Sequence, residues 1–219
     1  MSRDLIALDR KHYEGAMRAI RRYVTGAHRI ADDVNLAYAL FVMGIESLAQ
    51  EFDGHVADWL DYDHTKRARI DAALSDATVD TSEKVRRAIL QNEYVALARR
   101  FRTFTLAHVA PSYFRSDAAQ TQGAISRPDL ETALRQVYEV RSGYVHRLQE
   151  INTALVGLPS FPDTLELDGR ATLTFASLSL LARHVIIQFI DRSPKVERET
   201  CSAIQGNTYG SECQLRVMI

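Results

Sequence analysis

Arg141 and His146 are the two side chains of this 219-residue chain whose types and spacing could do chemistry together. They lie in the stretch Tyr138-Glu139-Val140-Arg141-Ser142-Gly143-Tyr144-Val145-His146. A guanidinium offers a planar fork of donors to phosphate or carboxylate. An imidazole titrates near neutral pH and can take or give a proton. The arginine falls inside the apolar stripe Leu130, Leu134, Val137, Tyr138, Val145 and Leu148 of a helix predicted over about 128–154. A dry, unpaired guanidinium there is costly, so it needs a carboxylate or a groove open to water. Glu46, set among apolar residues of another predicted helix, is the natural counter-ion. The five-residue step from Arg141 to His146 turns the helix by about 140° and advances it about 7.5 Å. One straight helix cannot aim both side chains at one point. Convergence requires a kink, for which Gly143 is the candidate, or a second copy crossing the first at a dimer axis.

The elements that must position this pair read as helices. Five prolines and ten glycines punctuate the chain, and hydrophobic residues recur at three- and four-residue intervals. One helix is predicted over 9–31, with Tyr13, Ala16, Met17, Ile20, Val24, Ala27 and Ala31 on its stripe, and a second, the most apolar, over 33–52. A polar stretch at 53–63 leads to a short helix ending near Leu74. Asp80-Thr81-Ser82-Glu83 reads as a capping box that opens a third long helix continuing through Phe104. Ser126-Arg127-Pro128-Asp129 opens the fourth. A small hairpin about Asp168-Gly169, over 165–174, or an extended connector precedes a last helix at 174–191. The expected architecture is an all-α bundle of five to six helices in one domain, 1–193, with a mobile or accessory tail at 194–219.

The Tyr138 to His146 stretch resembles the R-x4-6-H signature of the HEPN superfamily, all-α domains of prokaryotic toxin, abortive-infection and CRISPR-associated ribonucleases. The upstream Leu40-Phe41-Val42-Met43-Gly44-Ile45-Glu46-Ser47-Leu48 resembles the early helix of the same domains. Two positions depart from that pattern: Ser142 follows the motif arginine where Asn, Asp or His is common, and Leu148 stands where toxin-type members often have Tyr. The resemblance implies a HEPN-like bundle and metal-independent cleavage of RNA, with no cofactor and no metal. Arg141 would hold the phosphate, and His146 would act on the ribose 2′-hydroxyl or the leaving 5′-oxygen. Tyr138, Ser142, Glu46, Arg183 and His184 would support them. It also implies a homodimer with a composite cleft, and an antitoxin or larger defence complex as partner. The alternative is a non-catalytic HEPN-like module that docks a protein or nucleotide; an ordinary helical interaction protein with a buried Arg–Glu pair is the third reading.

Charge narrows these readings. Twenty-seven basic and 28 acidic side chains give a net charge of −1, which excludes bulk coating of nucleic acid. The balance is segregated, however. Residues 1–30 and 84–102 are predominantly basic and 46–63 wholly acidic, so Arg99, Arg100 and Arg102 are candidate RNA contacts. Pairing of these basic faces with the acidic segment is the competing expectation. Arginine outnumbers lysine heavily, the lysines being Lys11, Lys66, Lys84 and Lys195, which reads mainly as coding bias. His55, Asp58, Asp61, Asp63 and His64 form an oxygen-and-imidazole patch without enforced metal-ligand spacing. Cys201 and Cys213 make neither a disulfide framework nor a zinc array. No phosphate loop, GxSxG elbow or HExxH motif is present. The expected setting is cytoplasmic, since no apolar run reaches membrane length and the start lacks a signal-peptide core.

Overall fold

A computed structural model describes residues 2–117, 124–157 and 164–196. The fold is predominantly α-helical: α1 (Ser2–Ile6), α2 (Arg10–Arg29), α3 (Val34–Phe52), α4 (His64–Ala73), α5 (Val79–Asn92), α6 (Leu97–His108), α7 (Arg127–Arg147), α8 (Thr153–Val156) and α9 (Phe175–Arg192). A two-stranded antiparallel hairpin, β1 (Thr164–Leu167) and β2 (Arg170–Leu173), turns at Asp168-Gly169, both at positive φ, and packs against α7. No helix among the described residues is long and apolar enough to cross a membrane.

Helix α3 is the axis of the bundle, with α2, α6, α7 and α9 packed around it. Its Tyr38, Phe41, Ile45 and Leu48 are fully buried. Side-chain caps start the long helices: Asp9 accepts from the His12 amide, Asp33 from Leu36, Ser126 from Asp129 and Thr174 from Ser177. The α2 face against α3 is built from small residues, Gly15, Ala16, Ala19 and Gly26. A methyl at Gly26 would meet the Phe41 ring at 3.0 Å and the Ala37 carbonyl at 3.2 Å. Close approach of the two helices therefore displaces the bulky apolar residues of α2 from the seam with α3.

Two boundaries differ from the sequence expectation. The helix predicted from Asp80 through Phe104 is two helices, and its first turn is capped by Thr78 rather than Asp80. The break contains neither proline nor glycine. Val95 is driven into the core at 5% exposure, Ala96 takes left-handed backbone at φ 55°, and Tyr62 donates to Glu93 at 3.0 Å. Burial of Val95 offsets the roughly 1–2 kcal/mol cost of a non-glycine residue in that conformation. The second difference is the end of α7, which stops at Arg147 because Leu148 is also left-handed, at φ 52°. The Leu148 amide donates to the Tyr144 carbonyl and the Gln149 amide to that of Gly143, closing a Schellman-like end. At the other end of the domain Leu8 and Lys195 form an isolated bridge. Residues 197–219, with Cys201 and Cys213, lie outside the described residues.

Candidate functional site

Helices α3 and α7 cross so that Glu46 and Arg141 meet inside the bundle, 5% and 8% exposed. The Arg141 guanidinium donates to Glu46 Oε2, and the Tyr138 hydroxyl donates to Glu46 Oε1 at 2.9 Å. One carboxylate therefore serves two donors one turn apart on α7. The guanidinium also lies over the Tyr138 ring, 5.5 Å from its centroid, and Phe101 of α6 packs on the same ring. Burial, reinforced by the Glu46 carboxylate and its hydrogen bond, pushes the Tyr138 hydroxyl far above the ordinary tyrosine value. Tyr138 is thus a neutral donor at any physiological pH. Arg141 Nε is buried with no hydrogen-bond partner among the described residues.

His146 stands apart from this cluster. Helix α7 runs without interruption through Gly143, and His146 lies five residues further along it than Arg141. His146 is exposed, Ser142 half-buried. Gly143 instead admits the chain that returns after the helix: a methyl there would sit 3.1 Å from Gln149 Oε1 and 3.2 Å from the Arg147 guanidinium.

The remaining candidates fall elsewhere. His184 is buried on α9, accepts the Ala110 amide at 3.2 Å and packs on Tyr113. Its neighbour Arg183 is exposed and borders an apolar groove. Arg100 is bidentate to Asp53, at 2.7 and 3.0 Å, and also donates to the Gln50 carbonyl at 2.6 Å. Arg99 donates to Asp61 at 2.6 Å and keeps a half-exposed side chain, while Arg102 Nε is 4.0 Å from Glu131. Arg99 and Arg100 of α6 thus pair with the acidic 53–61 segment, while Arg102 lies toward Glu131 of α7. In that segment His55 Nε2 is 2.8 Å from Asp61, Asp58 caps the short turn Trp59–Asp61, and Asp63 caps α4, whose first residue is the exposed His64. Burial acts to raise Asp61, but the Asp58 amide, Arg99 and His55 outweigh it and hold the carboxyl below the usual range. Asp53 is held low in the same way by Arg100 and the His55 amide. Among the described residues no three His, Cys, Asp or Glu side chains are arranged to hold a metal ion.

One feature had no sequence reading. A polar cleft of about 510 Å³ opens between α7, the 149–152 segment and the hairpin, bordered by Gln136, Glu139, Arg147 and Asp168. Its helical wall is signalled by the row Gln136, Val140, Gly143 and Arg147 at three- and four-residue steps, on the face of α7 opposite Arg141. The shared carboxylate of Asp61, between His55 and Arg99, joins positions 38 residues apart: pairing of the basic faces with the acidic segment is expected from the sequence, the individual partners are not. No family model, no curated protein and no solved structure matches the chain.

Proposed function

We propose that this chain is a HEPN-type, metal-independent endoribonuclease of prokaryotic defence or toxin–antitoxin systems, with its site completed when two copies pair. One observation carries the reading. Arg141 is fixed by Glu46 from one side, and its buried Nε is left as an unused donor. A fixed cation with a spare donor suits an oxyanion whose charge grows in the transition state. His146 is exposed about 140° around the helix, out of reach of its own Arg141 but free to meet the Arg141 of a second copy. In the proposed reaction His146 removes the proton of the ribose 2′-hydroxyl. The 2′-oxygen then bonds to phosphorus, and the bond from phosphorus to the 5′-oxygen breaks. A second imidazole or water protonates the leaving oxygen, so the products end in a 2′,3′-cyclic phosphate and a 5′-hydroxyl. The partners on this reading are RNA, a second copy and an antitoxin or defence complex.

The test is RNA cleavage in EDTA by the wild type, His146→Ala and Arg141→Ala, with thermal melts run in parallel. His146 is exposed, so its variant keeps the fold and should abolish cleavage. Mixing the two inactive variants should restore part of the activity if each site draws on two chains. Cleavage that survives both substitutions, or that requires a divalent metal, removes the proposal. The alternative, a non-catalytic HEPN-like module, is favoured by the small exposure of the Arg141 side chain, 10%, which limits access of a phosphate. It predicts no cleavage by the wild type.

A further inference from the structure

The cleft of about 510 Å³ between α7, the 149–152 segment and the hairpin has an apolar floor and a charged rim. The floor comes from the buried Ile151 and Leu155 and the half-buried Val140 and Leu167. Gly143 supplies no side chain, which leaves room on the α7 wall for Arg147 and Gln149. At this end of the cleft two groups of opposite charge have bonding capacity unused. Among the described residues the Arg147 guanidinium donates only to Gln149 Oε1, at 3.3 Å, and the exposed Glu150, three residues on, forms no hydrogen bond or ion pair. The other carboxylates on the rim are Asp168, at the hairpin turn, and Glu139, which faces Arg170 at 4.0 Å with both side chains more than half exposed.

A guanidinium and an unbonded carboxylate over an apolar floor suit a planar, uncharged ligand with paired acceptors on one edge and paired donors on another. Guanine is the nucleobase that offers both: O6 and N7 accept side by side from an arginine, and N1–H and the N2 amino group donate side by side to a carboxylate. We infer that this cleft seats a guanine base of the RNA, with Arg147 on O6 and N7, Glu150 on N1–H and N2–H, and the base lying over Val140 and Ile151. The inference rests on the ribonuclease reading for the source of the guanine. Helix geometry sets the backbone beside it. Glu139, on the lip of the cleft, precedes His146 by seven residues, a step about 20° short of two full turns and about 10.5 Å along α7. His146 therefore continues the line of that lip, and a nucleotide seated in the cleft has its ribose on the side of α7 that carries the imidazole. The rim carboxylates repel phosphate but not an uncharged base. A polyamine would satisfy those carboxylates but would set a cation against Arg147. A metal ion fits less well too, since among the described residues no three acidic or histidine side chains converge.

The full chain would be titrated with guanosine, adenosine, cytidine and uridine and, separately, with spermidine. Guanosine should bind at least about tenfold tighter than the other three. Glu150→Gln replaces one acceptor oxygen by a donor and should weaken guanosine by about tenfold or more while leaving adenosine within about twofold. Arg147→Ala should do the same. Glu150 is exposed and unbonded, so its variant should keep the wild-type melting temperature. In the EDTA cleavage assay the wild type should cut mainly beside guanosine, and Glu150→Gln should still cut but lose that preference. Equal binding of the four nucleosides, guanosine binding insensitive to both variants, or cleavage without preference for guanosine overturns the inference and leaves the ribonuclease reading standing. Binding of spermidine in place of guanosine overturns it as well, making the cleft a cation site. Guanosine binding that both variants weaken, with no RNA cleavage by the wild type, upholds the guanine site and removes the ribonuclease reading alone.

Discussion

Glu46 with Arg141 and Tyr138 at the α3–α7 crossing, and Asp53 and Asp61 with Arg100, Arg99 and His55 along the edge of α6, are two solutions to one problem: holding carboxylates against arginines in a folded chain. The first sits where the helix periodicity calls for an aliphatic side chain. It brings together a single acid and two donors, with the acid and the guanidinium buried at 5% and 8% exposure, so that bulk water does not readily replace a lost partner. The second joins two oppositely charged runs of sequence: Arg100 and both carboxylates are as buried as the core pair, Arg99 is half exposed, and each carboxylate is bonded from several directions. The number of partners per carboxylate therefore makes the first set all-or-none and the second graded.

The largest expected effect tests that distinction. Glu46→Leu leaves the Arg141 guanidinium buried without its anion and should cost about 3–5 kcal/mol in chemical denaturation. Glu46→Leu with Arg141→Met removes both charges and should recover most of that loss. If the double variant is as unstable as the single one, the cost lies in packing rather than in an orphaned charge. At the edge, Arg100→Ala removes the bidentate bond to Asp53 and the donor to the Gln50 carbonyl at the end of α3, a loss of about 2 kcal/mol. A loss as large as that of Glu46→Leu would erase the contrast between the two regions.

These two regions were unequally legible in the sequence. Arg141 stands out because a charge interrupts an apolar stripe, and Glu46 stands out for the same reason, so their pairing follows from the cost of leaving either alone. Periodicity also located most of α2, α3, α7 and α9, since each buries one continuous face. The breaks were hidden where burial of a single residue decides them: Val95 and Ala96 end a helix without any local signal, and Leu148 adopts a conformation its side chain disfavours. Along α6 the segregation of charge was visible, but not which arginine takes which carboxylate, because those bonds span 38 to 47 residues. Periodicity alone likewise placed Tyr13, Met17, Ile20 and Val24 on the same stripe as Ala16, whereas close packing on α3 divides them.

The two regions should also fail at opposite ends of the pH scale. Tyr138 has its hydroxyl pushed up in the fold, so above about pH 10 the unfolded chain loses a proton that the folded one keeps, and stability falls as pH rises. Tyr138→Phe should flatten the alkaline limb of a stability profile. Asp53 and Asp61 have their carboxyls held low, so the stability they lend is complete above the unfolded value and is lost as pH falls below about 4. Asp61→Asn should flatten the acid limb and leave the alkaline one unchanged. An alkaline limb altered by Asp61→Asn would show that the two sets are coupled.

The smallest effect is expected at Arg99, and salt is what makes it informative. Its side chain is 52% exposed, whereas the Asp61 carboxylate it meets is 6% exposed and retains His55 and the Asp58 amide when the arginine is removed. Water can solvate the exposed guanidinium in both states, so Arg99→Ala should cost only about 0.5–1 kcal/mol. Ions screen an exposed charge more effectively than a buried one, so raising the salt to about 1 M should remove much of that difference. The Glu46→Leu penalty should persist under the same conditions, because ions do not enter the α3–α7 seam. Equal salt sensitivity in the two variants would mean that solvent reaches both sets of charges, and the division between a closed core pair and an open edge network would fail.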